Sequence, residues 1–258
     1  MPRLIFITGA SSGIGQALAW RYYQAGFALA LVARRTDEIQ TWAAARALDA
    51  SRYRIYCADV GVVDSIVSAA QQCLQEQGVP DIVIANAGVS IGIDTAVRDD
   101  LDVLARTFTI NNVGLAATFH AFVEPMSRRG SGALVGIASV AGIRGLPGHG
   151  AYCASKAGVI SYCESLRGEL RHVGVKVVTI CPGYIDTPLT QKNRYSMPFL
   201  MQADVFADKA YSVIDAGATY RVIPWQMGWV AKGLRLLPNA LFDRVLSGRP
   251  RKRRITGD

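Results

Sequence analysis

Six short apolar runs recur along this chain with room for one helix between each pair: Leu4 to Thr8, Ala28 to Ala33, Arg54 to Ala58, Ile82 to Ala85, Ala133 to Ile137 and Val175 to Cys181. Gly, Asp or Pro bounds the runs, and stretches of helical period separate them. Because the runs are apolar throughout instead of alternating, they predict strands covered on both faces. Strand alternating with helix then predicts an α/β fold built on a doubly wound parallel sheet. In such a sheet the loops at the carboxyl ends of the strands form the ligand site. A seventh, edge strand is expected at Tyr220 to Ile223, where Pro224 stops it. The 258 residues, 50% of them hydrophobic, suffice for one sizeable core, so a single domain is the default.

The loop after the first run reads Thr8-Gly9-Ala10-Ser11-Ser12-Gly13-Ile14-Gly15. Glycine is needed where the backbone turns tightly and where its amides must approach a pyrophosphate with no Cβ in the way. The helix that follows, to about Ala25, adds the positive end of its dipole. This Rossmann-type arrangement predicts a bound dinucleotide. The second run ends at Ala33 and is followed by Arg34 and Arg35. A free ribose 2′-hydroxyl wants a carboxylate at that point, whereas a 2′-phosphate wants a guanidinium fork. NADP(H) is therefore expected over NAD(H), with Asp37 the acid that could instead reach the ribose. Asp59, in Ala58-Asp59-Val60, is placed either to accept from the adenine amino group or to cap the following helix. Asn86-Ala87-Gly88, after the fourth run, offers small residues that pass close under the adenine ribose, or an ordinary turn.

Tyr152 and Lys156 are four apart in a segment of helical period from Ala151 to His172, and so project from one face of one helix. A free tyrosine titrates near ~10 and is a poor acid or base at neutral pH, but an adjacent ammonium and a cationic nicotinamide ring both favour its phenolate. Ser139 closes the fifth run at the same sheet edge, where its hydroxyl could hydrogen-bond a substrate oxygen.

With these motifs in this order, the chain resembles the short-chain dehydrogenase/reductase family. That family's pattern is a Thr-Gly-x-x-x-Gly-x-Gly turn, an Asn-Ala-Gly loop, and a Ser ahead of Tyr-x-x-x-Lys, and the resemblance covers about Leu4 to Thr187. It implies that Asn111, more than its neighbour Asn112, kinks a helix and holds a water in a proton relay. It implies that Lys156 contacts the nicotinamide ribose and lowers the pKa of Tyr152. Pro182, Gly183, Ile185 and Thr187, after Cys181, match the segment that grips the nicotinamide carboxamide. The implied reaction is reduction of a carbonyl by hydride from NADPH, or oxidation of a secondary alcohol, with Tyr152 as general acid or base. A homodimer or homotetramer is implied as well. Two alternatives stay open: an epimerase or dehydratase on the same scaffold, with no net NADPH consumption, and an NADP(H)-binding regulator or membrane-associated scaffold.

After Thr187 the chain leaves the pattern. A substrate lid is expected over about 188–218, and Tyr195, Met197, Phe199, Leu200 and Met201 in it either suit a hydrophobic, lipid-like substrate or merely cover the core. The dinucleotide-binding catalytic domain is expected to end at 223, with an amphipathic, basic helical extension over 224–258. In that extension Trp225, Trp229 and Leu236 fall on one broad arc with Met227, Val230, Leu234 and Leu237, and Lys232 and Arg235 on the other. Lys and Arg total 28 against 20 Asp and Glu, and the extension holds eight of the cations against Asp243 and Asp258, so it carries +6 of the net +8. The body is near neutral, which argues against nucleic acid as a partner. The apolar arc and the cluster Arg249-Pro250-Arg251-Lys252-Arg253-Arg254 match either an anionic membrane surface or helices packed on the domain. Cys57, Cys73, Cys153, Cys163 and Cys181 form no C-x-x-C pair and are expected as reduced core residues of a cytoplasmic protein, peripherally bound to a membrane at most. No metal site is expected, and no targeting segment precedes Leu4-Ile5-Phe6-Ile7.

Overall fold

The computed structural model describes residues 2–191, 193, 195–248 and 252–254. The chain runs β1 (Leu4–Thr8), α1 (Gly13–Gln24), β2 (Ala28–Ala33), α2 (Thr36–Ala45), β3 (Tyr53–Cys57), α3 (Val63–Glu76) and β4 (Ile82–Ala85). It continues with α4 (Asp100–Phe108), α5 (Gly114–Arg129), β5 (Gly132–Ile137), α6 (Gly150–Leu170) and β6 (Val175–Pro182). A two-strand pair, β7 (Ile185–Asp186) and β8 (Met201–Gln202), precedes α7 (Ala203–Asp215), β9 (Tyr220–Ile223), α8 (Trp225–Leu236) and α9 (Asn239–Leu246). The seven strands of the main sheet are all parallel, in the order β3-β2-β1-β4-β5-β6-β9. The order reverses between β1 and β4, which opens a crevice at their carboxyl ends.

Two cores result, one on each face of the sheet. Ile5, Ile7, Leu29 and Leu31 point to the layer of α1, α2 and α7, and Phe6, Val83 and Leu134 to the layer of α3, α5 and α6. The fully apolar runs hold for the central strands. At the edge strand β3 they do not: Tyr56 is buried while Arg54 and Cys57 are exposed, so Cys57 is not the core thiol expected of it. The remaining four cysteines are buried and free.

The stretch expected as a lid divides at Gln202. Phe206, Ala207, Ala210 and Ile214 put the buried stripe of α7 against α1, where Tyr22 meets Tyr211 edge to ring at 5.1 Å. Helical spacing of large apolar groups gives α7 more to bury than a lid provides, and it is a body helix. The described residues between Pro188 and Leu200 form the loop that overhangs the sheet's carboxyl edge, with Pro188, Leu189 and Thr190 lining the cleft there.

The C-terminal helices are joined to the body through Arg144, in the loop after β5. Its guanidinium donates to the carbonyls of Leu234 and Leu237 (2.8 Å for the latter) and to Asn239 Oδ1 at 3.1 Å, and lies 3.8 Å over the Phe242 ring. A cation at the carboxyl end of a helix satisfies carbonyls that have no helical partner and complements the dipole. Met227, Ala231, Phe242 and Leu246 are buried beneath the two helices. The arc drawn on α8 from sequence is therefore split: Met227 faces the domain, while Trp225, Trp229 and Leu236 are 65%, 68% and 84% exposed. Among the described residues no helix is long and apolar enough to cross a membrane.

Lys252 and Arg254 are not part of a solvated basic tail. Arg254 Nε lies 2.7 Å from Asp100 Oδ2, a carboxylate at the start of α4 that is only 1% exposed. A buried carboxylate needs a countercharge, and the tail supplies it. Arg249, Pro250 and Arg251, expected in the same cluster, lie outside the described residues.

Candidate active site

A cleft of about 420 Å³ runs along the carboxyl edge of the sheet, from the turn after β1 to the loop after β6. Its floor and walls include Gly9, Ser11, Ser12, Gly13 and Ile14, then Arg34 and Arg35, Asp59 and Val60, and Asn86, Ala87 and Gly88. Ser139, Tyr152, Lys156, Pro182, Gly183, Ile185 and Thr187 complete it. Of the residues expected at the site, Gly15 and Asn111 stand behind this surface instead of on it.

Gly15 shows why. A Cβ there would fall 2.2 Å from the Gly9 carbonyl oxygen and 2.7 Å from Asn86 Nδ2, so the first turn of α1 presses directly on the loop that precedes it. Gly9 and Gly13 have φ of 69° and 58°, a region that L side chains adopt at a cost. Asn86 braces this turn: its Nδ2 donates to the Thr8 carbonyl at 3.0 Å, while Thr8 Oγ1 accepts from the amides of Asn86 and Ala87 at 3.1 and 3.2 Å. The Asn-Ala-Gly loop is thus both a cleft wall and the support of the phosphate-binding turn. Thr187, which begins the overhanging loop, touches the same turn, since a Cβ on Gly13 would lie 3.2 Å from its Cβ.

At the far end of the cleft two guanidiniums converge. Arg35 donates to Ser11 Oγ at 3.4 Å and pairs with Glu38 at 2.8 Å; Arg34 lies 3.5 Å from Asp59 Oδ2. These pairs are half exposed, and exposed pairs are worth ~1 kcal/mol or less, so an anion can replace the carboxylates. Asp37, the acid that could instead reach a ribose, is exposed and does not line the cleft. Asp59 does not cap α3, whose cap is Val62; its Oδ1 accepts from the Gly61 amide at 2.8 Å, its Oδ2 meets Arg34 at 3.5 Å, and it lines the cleft.

At the near end, Lys156 is buried and its Nζ donates to the Ile137 carbonyl at 2.7 Å, at the last residue of β5. Burial holds its pKa down, to about 8. Nζ sits 5.9 Å from the centroid of the Tyr152 ring. The half-buried phenol is pushed up to about 12 by burial, with a hydrogen bond to Ser139 pulling the other way. Burial is the larger of these two effects, and it holds the phenol above its ordinary value. Ser139 is extended (φ −171°) and 7% exposed; its Oγ accepts from the Ala141 amide at 3.1 Å and caps the short turn after β5.

Asn111 lies within a five-residue π-helical turn, Thr109–Val113, between α4 and α5, the kink expected at that asparagine. Its Oδ1 accepts from the Val89 amide at 2.9 Å, and its Nδ2 donates to the Val89 carbonyl at 3.0 Å and to Ser155 Oγ at 2.9 Å. Asn112 Nδ2 donates to the Ser155 carbonyl. Asn111 therefore fastens both the loop after β4 and the π turn to α6, and Asn112 adds a second tie between the π turn and α6. Among the described residues no cluster of His, Cys, Asp or Glu could hold a metal ion.

Sequence reasoning expected Tyr195 in this region but missed His149, its partner beside the cleft. His149, just before α6, has Nδ1 3.0 Å from the Pro147 carbonyl and Nε2 3.3 Å from the Tyr195 hydroxyl, and burial lowers its pKa. Tyr195 in turn packs edge to ring on Tyr184 at 6.2 Å. Nothing in the local pattern around a lone histidine marks it; its partner is 46 residues away.

Comparison with known proteins agrees with this geometry. Residues 3–197 match the family model described as short chain dehydrogenase. A protein of Myxococcus xanthus called an uncharacterized oxidoreductase is 36% identical over 244 residues, covering 93% of this chain and 95% of that one. In fold, the chain is similar to a short chain dehydrogenase/reductase from Burkholderia phymatum in complex with NAD (TM-score 0.81, 22% identity, 96% of each chain covered). It is also similar to a short chain dehydrogenase from Burkholderia cenocepacia in complex with NADP (TM-score 0.80, 22% identity, 96% and 98% covered).

The Lys156 environment carries a pH signature. A lysine whose folded pKa falls from 10.5 to about 8 destabilises the fold while charged, and that penalty is relieved as pH rises from about 8 toward 10.5. The unfolding free energy of the wild type, relative to Lys156→Met, should rise by roughly 2–3 kcal/mol between pH 7 and 10. Urea titrations across that range check it; a flat difference would mean the ammonium is solvated.

Proposed function

The chain belongs to the short-chain dehydrogenase family and is an oxidoreductase of it, and from that premise we propose that it reduces the carbonyl of a hydrophobic substrate with NADPH. The observation that carries this reading is the placement of Ser139, Tyr152 and Lys156 on one wall of a cleft whose opposite end holds the braced turn after β1 and two arginines. When bound, the dinucleotide supplies the hydride. A 420 Å³ cleft lined by glycines that leave backbone amides exposed suits a pyrophosphate, and relatives in fold carry NAD or NADP. Arg34 and Arg35, with no carboxylate at Ala33, favour the 2′-phosphate form.

Ser139 and Tyr152 would hold the substrate oxygen where negative charge develops. A phenol pushed up to about 12 keeps its proton at neutral pH, the state that reduction requires, and is still more acidic than the alcohol it creates. Lys156, fixed by the Ile137 carbonyl, would hold the ribose side of the cleft and soften the charge left on Tyr152 after proton donation. The backbone kink at Asn111 lies one layer behind, where a water could join Lys156 to solvent. Tyr195, Met197 and Phe199 on the overhanging loop suit an apolar substrate body. The free thiols suit a reducing, cytoplasmic setting, and the homodimer or homotetramer implied by family resemblance belongs to the same proposal.

The exposed face of α8 suits one partner further, an anionic bilayer surface. Trp225, Trp229 and Leu236 project outward, Lys232 lies 5.5 Å from the Trp229 ring, and Arg235 and Arg244 flank them with Asp243 as the acid on the two helices. Indole with Leu at the apolar level and cations above it is the composition of an interfacial helix, at about 1 kcal/mol per basic residue near anionic lipid.

Tyr152→Phe should lower carbonyl-dependent NADPH oxidation by at least about 100-fold while NADPH still quenches tryptophan fluorescence with its original affinity. Retained turnover removes the role. Replacing Arg34 and Arg35 together by Ala should weaken NADPH by about 10- to 100-fold and leave NADH within about threefold, by isothermal titration. For the membrane face, the protein should co-sediment with phosphatidylserine vesicles at low salt, and Trp229→Glu should abolish this; a wild type that stays in the supernatant defeats the idea.

A further inference from the structure

Three loops frame the substrate side of the cleft: the one after β4, the one between β5 and α6, and the overhanging loop after β7. Residues 252–254, far away in sequence, touch or face all three. The Gly92 amide, in the first loop, donates to the Arg253 carbonyl at 3.0 Å, and the approach is so close that a Cβ on Gly92 would lie 2.0 Å from the Lys252 carbonyl oxygen. Lys252 Nζ donates to Asn193 Oδ1 of the overhanging loop at 2.5 Å, and its charge is felt by His149 of the middle loop. Arg254 closes the arrangement with two hydrogen bonds to the buried Asp100, which also accepts from the Asp94 amide at 2.6 Å.

We propose that the segment 252–254 is a strap that forms the outer wall of the substrate site, with Arg254 and Asp100 as its anchoring pair and Lys252 positioning the loop that carries Tyr195. The strap rests on the reductase reading only for its effect on turnover; its structural part stands independently. Tyr195 is the link to chemistry. Its hydroxyl meets His149, its ring meets Tyr184, and Tyr152 is near enough to oppose its ionisation. A loop tied down by Lys252 presents that wall in one place; a loop released from it does not. The carboxylate of Asp100 is satisfied in full by Arg254 and a backbone amide, held below the usual range by the guanidinium, so the anchor is a built pair and not a passing surface contact. Arg254 and Lys252 are positioning residues: they act through the loops and do not meet the reacting atoms.

The test uses the full chain with Arg254→Ala, Arg254→Lys and Asp100→Asn. Hydrogen exchange read by mass spectrometry should show peptides covering Gly92 and the Tyr195 loop exchanging at least about tenfold faster in Arg254→Ala and Asp100→Asn, with Arg254→Lys in between. In steady-state assays over a panel of aliphatic and aromatic ketones, KM for the carbonyl should rise about tenfold in Arg254→Ala while the NADPH dissociation constant stays within about twofold. Unchanged exchange in those peptides overturns the strap, as does a parallel loss of NADPH affinity, which would signal general damage. If the wild type turns over none of the panel, the reductase reading fails and the exchange result alone decides the strap. Should Arg254→Ala not fold, Lys252→Ala, which breaks the contact to Asn193, carries the same exchange measurement on the Tyr195 loop.

Discussion

The close approach of the turn after β1 to the loop after β4 governs the rest of this molecule. Gly9 and Gly15 come together so tightly that neither tolerates a side chain, and Thr8 and Asn86 tie the carboxyl ends of the two central strands with reciprocal hydrogen bonds. These strands flank the reversal in sheet order, so the brace holds open the crevice into which every other site residue projects. It aims the amides at the start of α1 along the cleft and leaves Gly88 flat against Asn111 and Lys156, where a Cβ would lie 3.1 Å from Asn111 Oδ1 and 3.5 Å from Lys156 Nζ.

The chemistry then depends on burial more than on proximity of charge. Lys156 is sunk to the level of the Ile137 carbonyl, which lowers its pKa to about 8, and the same low-dielectric wall raises Tyr152 to about 12. Two groups that titrate close together in water, the phenol just below the amine, are driven apart and inverted in order by the fold. The protein alone therefore keeps Tyr152 protonated at neutral pH, with Ser139 as its hydrogen-bonded neighbour. The hydrogen bonds of Asn111 to Val89 and Ser155 hold the π turn and α6 as one body, so Tyr152 on α6 is kept at the sheet edge.

The C-terminal extension is joined to the body by two cations that have nothing in common in sequence. Arg144 ends α8 by filling its free carbonyls and stacks on Phe242, fastening both terminal helices to the loop that leads from Ser139 toward Tyr152. Arg254 neutralises Asp100 at the head of α4. Between them they turn what composition describes as an appended basic tail into part of the cleft's surroundings. The outward residues Trp225, Trp229 and Leu236 are what these two attachments leave uncovered.

Most of the fold was legible from the chain because its signals are local. The central strands are continuous apolar runs, and the runs at 4–8, 28–33, 82–85 and 220–223 match the strands residue for residue. The turn after β1, the Asn-Ala-Gly loop and the Tyr152–Lys156 pair could also be read, since glycine need and one-turn helical spacing are properties of adjacent residues. The division of the overhanging segment from α7, the inverted titration of Tyr152 and Lys156, the dual use of Asn86, and the pairing of Asp100 with Arg254 could not be read. Each depends on how deep a group sits or on a partner tens of residues away, up to 154 for the last. Local pattern determines which elements form and which groups face the cleft, because backbone sterics and side-chain periodicity act over a few residues. Tertiary packing alone decides the dielectric around those groups and the partner each buried charge obtains, because desolvation and ion pairing are set by neighbours that the chain's order does not reveal.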